Sequence, residues 1–321
     1  MVNFQLLPRV EPPQKYFDLA VKAGKQKAGV SRGKVARAQP ARKAVYIETQ
    51  QIDVMNKVLQ KHLGRILQEF PRLEQLSVFY RSLCDLRFSS REYHQKMGQL
   101  KWSVDKIQSL AGMTIRRIQR SKTIKEVVDA RQAFLGRVAS ILERLTETLH
   151  FLEQGRKILK AFPDIKVGMF TVCICGFPNV GKSTLLKKLT GANAEIASYA
   201  FTTKTLNTGY LKEEAKIVQL IDTPGTLHRE KMNKIEQEAD LAIRYCADLL
   251  VYVFDLTEPY PMTDQVTLFN QLLLLEKPVL VYLSKQDILD PAAISKFYES
   301  FKKKDLVFSV QALASVLLKK G

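Results

Sequence analysis

The chain has 321 residues, 46% of them apolar, with 50 Lys and Arg against 32 Asp and Glu, a net charge of +18. Length and apolar share allow two domains with separate cores and exclude a disordered chain, and no apolar run approaches the ~18 residues of a membrane helix. Residues 1–168 hold 32 basic and 15 acidic side chains and residues 169–321 hold 18 and 17, so a strongly basic half precedes a nearly neutral one, and a polyanionic partner is expected.

The opening "MVNFQLLPRVEPP" lacks the charged-then-apolar layout of a secretory signal, so a cytoplasmic location is expected. Residues 14–28 are predicted to form a short helix. The stretch "KAGKQKAGVSRGKVARAQPARK" (22–43) has eight basic residues, no acidic one and three glycines. It reads as a basic arm, folded loosely if at all, with Arg32, Lys34, Arg37, Arg42 and Lys43 as candidate RNA contacts. From 43 to 70, Ile52, Met55, Leu59, Leu63, Ile66 and Phe70 recur at helical spacing. Pro71 ends that helix and opens the next, carried by Leu73, Leu76, Phe79, Leu83 and Leu86.

Two capping boxes announce longer helices. Ser89 with Glu92 precedes Tyr93, Met97, Leu100, Val104, Ile107 and Ile118; Thr123 with Glu126 precedes one continuous stripe from Val127 to Leu159. At 1.5 Å per residue these run roughly 40–55 Å, which suits an elongated antiparallel bundle. The run "IRRIQRSKTIK" (115–125) carries no acid, and Arg116, Arg117, Arg120 and Lys122 join the candidate RNA contacts. The short "AFPDIKVG" (161–168) links the halves, with domains expected at 1–165 and 166–321.

Beyond it the period changes. "MFTVCIC", "KIVQLID", "DLLVYVFD", "KPVLVYL" and "DLVFSV" read as buried parallel strands separated by helices or loops, the mark of a doubly wound α/β domain. Cys173 and Cys175, two apart on a strand, point to one buried face as core residues, and the scattered histidines form no metal set.

Behind the first strand, "GFPNVGKST" (176–184) meets the phosphate-loop pattern through Gly176, Gly181, Lys182 and Ser183. Its amides, including those of Asn179, Val180 and Thr184, can turn onto a β-phosphate, aided by the positive end of the following helix. Lys182 would neutralise β/γ oxygens and Ser183 would ligate Mg²⁺. In "VQLIDTPG", Asp222 is placed for the Mg²⁺ shell and Gly225 for the γ-phosphate. Thr203, in "YAFTTKT", would close over the metal only while that phosphate is present.

These motifs in this order resemble the Obg-related branch of the translation-factor-related GTPases. The preceding helical half, with "GRVASILERL" and "KAFPDI", is similar to the nucleolar GTP-binding protein (Nog) family. The resemblance implies a P-loop G domain behind a helical bundle, a GTP/GDP switch, and a role in large ribosomal subunit assembly with rRNA and the precursor particle as partners. It also implies a compact archaeal-type member, since eukaryotic members continue past their G domain and this chain stops at Gly321.

Two departures stand out. Where Asn-Lys-x-Asp ordinarily reads guanine, this chain has Ser284, Lys285, Gln286 and Asp287. Asp287 can still accept from the two guanine N–H groups and Lys285 can cover the base, while the shorter serine forgoes bonds worth about 1 kcal/mol each. Ser309 and Val310 are expected in the loop presenting amides to guanine O6. After Gly225 stands Thr226, where Ras-like enzymes carry Gln to orient water, so slow intrinsic hydrolysis is expected. Asn179 occupies the position at which related GTPases hold K⁺, a cation that would stabilise developing charge. Two other readings remain open at this stage: a nucleic-acid-dependent ATPase and a GTPase recruited to an anionic membrane. A monomer without stable membrane association is the expectation.

Overall fold

The computed structural model describes residues 3–34, 39–191, 206–214, 216–224, 234–257, 260–301 and 305–321. It divides into two compact units, Met1–Leu76 with Arg87–Lys160, and Ser77–Leu86 with Ala161–Gly321.

The first unit is all helical: α1 (Pro13–Lys34), α2 (Pro40–Glu69), then, beyond α3 (Val78–Arg87), α4 (Ser90–Arg120), α5 (Ile124–Arg144) and α6 (Thr146–Lys160). Its core is the predicted stripes. Ile52, Met55, Leu59, Leu63 and Ile66 of α2 are buried with Leu100, Ile107 and Ile118 of α4, Phe134 and Val138 of α5, and Leu152 and Leu159 of α6. The side-chain half of both capping boxes forms. Ser89 Oγ accepts the Glu92 N–H at 3.2 Å and Thr123 Oγ1 accepts that of Glu126 at 3.3 Å. The Glu126 carboxylate returns the bond to the amide of Lys122, one residue earlier than the motif expects, at 2.8 Å. No helix among the described residues is long and apolar enough to cross a membrane.

Three expectations need correction here. The basic arm is not loose: α1 extends to Lys34 and α2 begins at Pro40, so most of residues 22–43 is helix. Beyond the buried Tyr16, what holds α1 is a row of small residues rather than large apolar ones. Ala20, Ala28 and Ser31 are buried, and a Cβ added to Gly24 would lie 2.7 Å from Met55 Cγ and 2.9 Å from Gln51 Cγ. Close backbone approach replaces bulky burial, and a search for large side chains passes over it. Next, the helix expected to continue through residue 145 breaks there. Leu145 sits between α5 and α6, where Thr146 Oγ1 takes the Glu143 carbonyl at 2.6 Å, a side-chain bond that competes with the helical ladder. Finally, Pro71 opens only a short 3-10 turn (Leu73–Gln75) before α3.

The second unit is a six-stranded sheet of order β2-β3-β1-β4-β5-β6, with β1 (Thr171–Cys175), β2 (Asn207–Glu213), β3 (Lys216–Asp222), β4 (Leu249–Phe254), β5 (Val279–Leu283) and β6 (Leu306–Val307). All neighbours are parallel except β2 with β3. Strand β2 was not anticipated, since "NTGYLKE" lacks a continuous apolar run and holds a glycine. As an edge strand it needs less apolar character. Gly209 lets it approach α7 (Lys182–Thr190), where a Cβ would meet Thr190 Cγ2 at 2.7 Å. Central β1 has β3 on one side and β4 on the other, so the chain leaves it in both directions and a crevice opens at its carboxyl end. Val172, Ile174, Val180, Leu185, Val218, Leu220, Val251 and Leu313 make the core beneath.

Residues 77–86 belong with this sheet although the sequence reading kept them among the helices before it. The Tyr80 hydroxyl lies 2.9 Å from the Pro163 carbonyl and accepts the Ile165 N–H at 2.9 Å, and its ring stacks on Phe162. The linker is fastened further when Lys166 N–H donates to Gln219 Oε1 and Gln219 Nε2 to Thr171 Oγ1, each at 2.9 Å.

The small-residue seam predicts that Gly24→Leu destabilises the helical unit by about 1–3 kcal/mol, the ordinary cost of overpacking. A lowered urea midpoint of the helical circular dichroism signal checks this.

Candidate nucleotide-binding site

The site begins where β1 ends. Gly176 has φ +142°, and a Cβ there would lie 2.6 Å from the Val253 carbonyl of β4, so only glycine allows the chain to turn. Asn179 at φ +64° and Gly181 at φ +96° continue a loop of left-handed positions that turns amides inward, and Gly181 caps the N-terminus of α7. Asn179 is exposed; the Val180 side chain is fully buried in the core, which leaves its amide for the loop. Ser183 and Thr184 open the exposed first turn of α7.

Lys182 is buried, and its Nζ donates to the Phe177 carbonyl of the same loop at 2.6 Å. Burial pushes its pKa below the ordinary lysine value, against the attraction of Asp222. Ser183 Oγ donates to Asp222 Oδ2 at 2.5 Å, and Asn207 Nδ2 stands 3.5 Å from the same oxygen. Burial lifts the Asp222 carboxyl above its usual range despite the Ser183 bond and Lys182. Its other oxygen, Oδ1, is buried with no hydrogen-bond partner among the described residues. A buried, unpaired carboxylate oxygen beside a serine hydroxyl fits a hard divalent cation with oxygen ligands, as Mg²⁺ requires. Next to it Thr223 is tied down, its N–H and hydroxyl both meeting the Ile174 carbonyl, at 3.2 and 2.8 Å.

The candidate base-reading motif lies against the phosphate loop: a Cβ on Gly181 would sit 3.5 Å from Ser284 Cβ. Ser284, buried, donates its hydroxyl to the Phe254 carbonyl at 3.0 Å, so it braces β4 against β5. Lys285 takes a left-handed backbone (φ +53°), and Asp287 is exposed on the short 3-10 turn Gln286–Ile288. Gln286 Nε2 reaches the Leu283 carbonyl at 2.7 Å and that of Phe308 at 3.4 Å, which brings the 308–310 corner beside the motif. There the Ser309 hydroxyl caps α11 (Val310–Lys320) through the Ala312 N–H at 3.1 Å, and Val310 packs on the core. The Ser309 hydroxyl, accepting there, keeps its own O–H to donate, and the Val310 side chain is taken up by the core.

Sequence reasoning missed Asp255 and Thr257. Asp255 is 1% exposed at the end of β4; its Oδ1 accepts both the N–H (2.9 Å) and the hydroxyl (2.7 Å) of Thr257. Its Oδ2 lies 2.6 Å from Lys285 Nζ, which also donates to Thr257 Oγ1 at 3.2 Å. Burial opposes the charge, but these bonds outweigh it and hold the carboxyl below the usual range. Asp255 carries the feature that flagged Asp222, an acid closing an apolar strand. Thr203, Gly225 and Thr226 lie outside the described residues.

The candidate RNA contacts fall on helix ends. Arg42 and Lys43 are on the first turn of α2, Arg116, Arg117 and Arg120 on the last turns of α4, and Lys122 just beyond. Arg32 and Lys34 close α1; Arg37 lies outside the described residues. Arg131 of α5 meets Glu48 of α2 at 3.5 Å, and Arg32 also acts on the Glu48 carboxylate. The start of α2, the start of α5 and the end of α1 therefore share one end of the helical unit, and the end of α4 joins them through its short turn into α5.

Fold and site together define a P-loop GTPase domain carried behind a helical one. Residues 171–285 match the model described as 50S ribosome-binding GTPase, and residues 4–166 match the NOG1 N-terminal helical domain. An uncharacterized protein of Methanocaldococcus jannaschii is 34% identical over 292 residues, covering 89% of this chain and 81% of that one. The nucleolar GTP-binding protein 1 of Drosophila melanogaster is 31% identical over 300 residues, covering 91% of this chain and 45% of that one. The chain thus spans most of the archaeal relative but under half of the fly protein. The crystal structure of Era from Aquifex aeolicus with GDP and aluminium fluoride is 29% identical, with a TM-score of 0.38, over 48% of this chain and 57% of that one. The chain belongs to the nucleolar GTP-binding protein 1 (NOG1) family.

The Asp255–Lys285 contact predicts that Asp255→Ala weakens GDP binding about tenfold or more, the value of a lost charged hydrogen bond. Calorimetric titration measures it. Circular dichroism of the helical unit is expected to stay unchanged.

Proposed function

We propose that this chain is a GTP switch with slow intrinsic hydrolysis that acts in assembly of the large ribosomal subunit, binding rRNA through its basic helical unit. One observation carries the reading: a phosphate loop, Asp222 and a guanine motif converge at one sheet crevice, in a chain whose other half holds nearly all the excess positive charge. The family names of the relatives point the same way.

In this reading Ser183 and Asp222, with Thr203, hold Mg²⁺, which supplies charge neutralisation at the β/γ-phosphates when bound. Lys182 leaves the Phe177 carbonyl for phosphate oxygens. Asp287 accepts from the guanine edge while Lys285, fixed by Asp255, flanks the base. Gly225 and Thr203 sense the γ-phosphate, and its loss releases their loops. Thr226 is a weak orienter of water, which leaves acceleration to the ribosomal particle. K⁺ beside exposed Asn179 would add positive charge at the phosphates. The cytoplasmic, monomeric state expected from sequence belongs to the same reading.

The deciding experiment is co-sedimentation with large-subunit particles in GTP, GDP or no nucleotide. Retention with GTP and release with GDP are expected; equal behaviour in all three removes the switch. Excess ATP should fail to displace labelled GTP, and acidic liposomes should fail to retain the chain, against the ATPase and membrane alternatives.

Two further outcomes are expected. Lys182→Ala abolishes nucleotide binding, read by fluorescent GDP titration, with helix content unchanged. Turnover is faster in potassium than in sodium buffer, and equal rates would remove the potassium site.

A further inference from the structure

The only tryptophan of the chain, Trp102, is 57% exposed on α4. Single surface apolar residues are ordinary, but the surroundings of this one are particular. Trp102 lines a cleft of about 460 Å³ together with Lys96, Gln99, Arg144, Leu145 and Thr148, so the break between α5 and α6 forms one of its walls. Thr148 donates its hydroxyl to Gln99 Oε1 at 2.7 Å, which leaves the Gln99 amide nitrogen as the donor end of that side chain. Lys96 stands 3.8 Å from Glu147, itself largely in solvent.

The same helix face continues as a cationic row. At about 100° per residue, Arg91, Lys106, Arg116 and Arg120 all point within about 40° of Trp102, and all four are exposed. Asp105, about 60° away, is the one acid in that sector of α4. At 1.5 Å per residue the row runs roughly 27 Å from the indole to Arg120. An aromatic plane beside a cleft, with exposed cations along the same helix face, is the combination that suits unpaired bases on a phosphate chain. An acidic protein surface would match the cations but would leave the exposed ring and its cleft without a use.

We propose that the Trp102 cleft is a base-stacking site for single-stranded RNA, with the arginine and lysine row of α4 following the phosphates. This rests on the RNA reading above and narrows it from charge contacts to a platform for a base.

Because Trp102 is the sole tryptophan, fluorescence of the full chain, excited where tyrosine no longer absorbs, reports on this ring alone. The probes are short oligoadenylate, a fully paired RNA duplex, and heparin as a polyanion without bases. Oligoadenylate should quench the indole, whereas duplex and heparin should bind without quenching. Trp102→Ala should weaken oligoadenylate binding about five- to hundredfold, leave heparin binding unchanged, and be largely rescued by Trp102→Phe. Arg116→Ala should instead weaken all three polyanions and lower the salt slope by about one. Filter-measured oligoadenylate binding that neither quenches the indole nor responds to Trp102→Ala would overturn the stacking site and leave the polyanion reading standing. Failure to bind any of the three would remove both.

Discussion

The nucleotide site depends on a steric allowance of one missing carbon. At Gly176 the first turn after β1 passes so close to the Val253 carbonyl that a methyl group would collide with it. That closeness starts the loop directly over the strand next door. The loop then aims α7 across the crevice and brings Ser183 to Asp222 and Gly181 to Ser284. The candidate phosphate, metal and base sub-sites are thereby placed by one backbone path, and the sheet beneath has only to be stiff. Continuous burial of β1 and β4 supplies that stiffness.

The sequence was most readable where a single physical rule acts alone. Glycine spacing in the phosphate loop, Asp222 closing an apolar strand and large residues at helical period all reappear in the structure as expected. It was least readable where neighbours decide. The small residues of α1 look like a solvated basic arm until α2 provides the surface that makes Gly24 and Ala28 useful. Strand β2 has no apolar run because an edge needs none, and Leu145 breaks a helix that its own stripe would continue. Asp255 shows a different gap: its feature was present, but its partner lies thirty positions away, just past the end of the next strand.

Replacing asparagine by serine at 284 takes on a physical meaning once the neighbours are known. Ser284 spends its hydroxyl on the Phe254 carbonyl, so its role is to brace two strands. Orientation of Lys285 then rests on Asp255 and Thr257, whose charge and hydroxyl approach the ammonium from β4. The work of one longer side chain is spread over three shorter reaches, all anchored on buried backbone.

The bond network around Tyr80 has a topological consequence. Because residues 77–86 complete the sheet-bearing globule from within the helical half of the chain, the polypeptide passes from one unit to the other three times. No single cleavage can release either globule whole. A fragment cut at 160 would strand Tyr80 without its carbonyls and leave Phe162 and Ile165 facing water. Joining this sheet-bearing globule end to end with a new neighbour would leave behind a clasp that belongs, by position, to the other half.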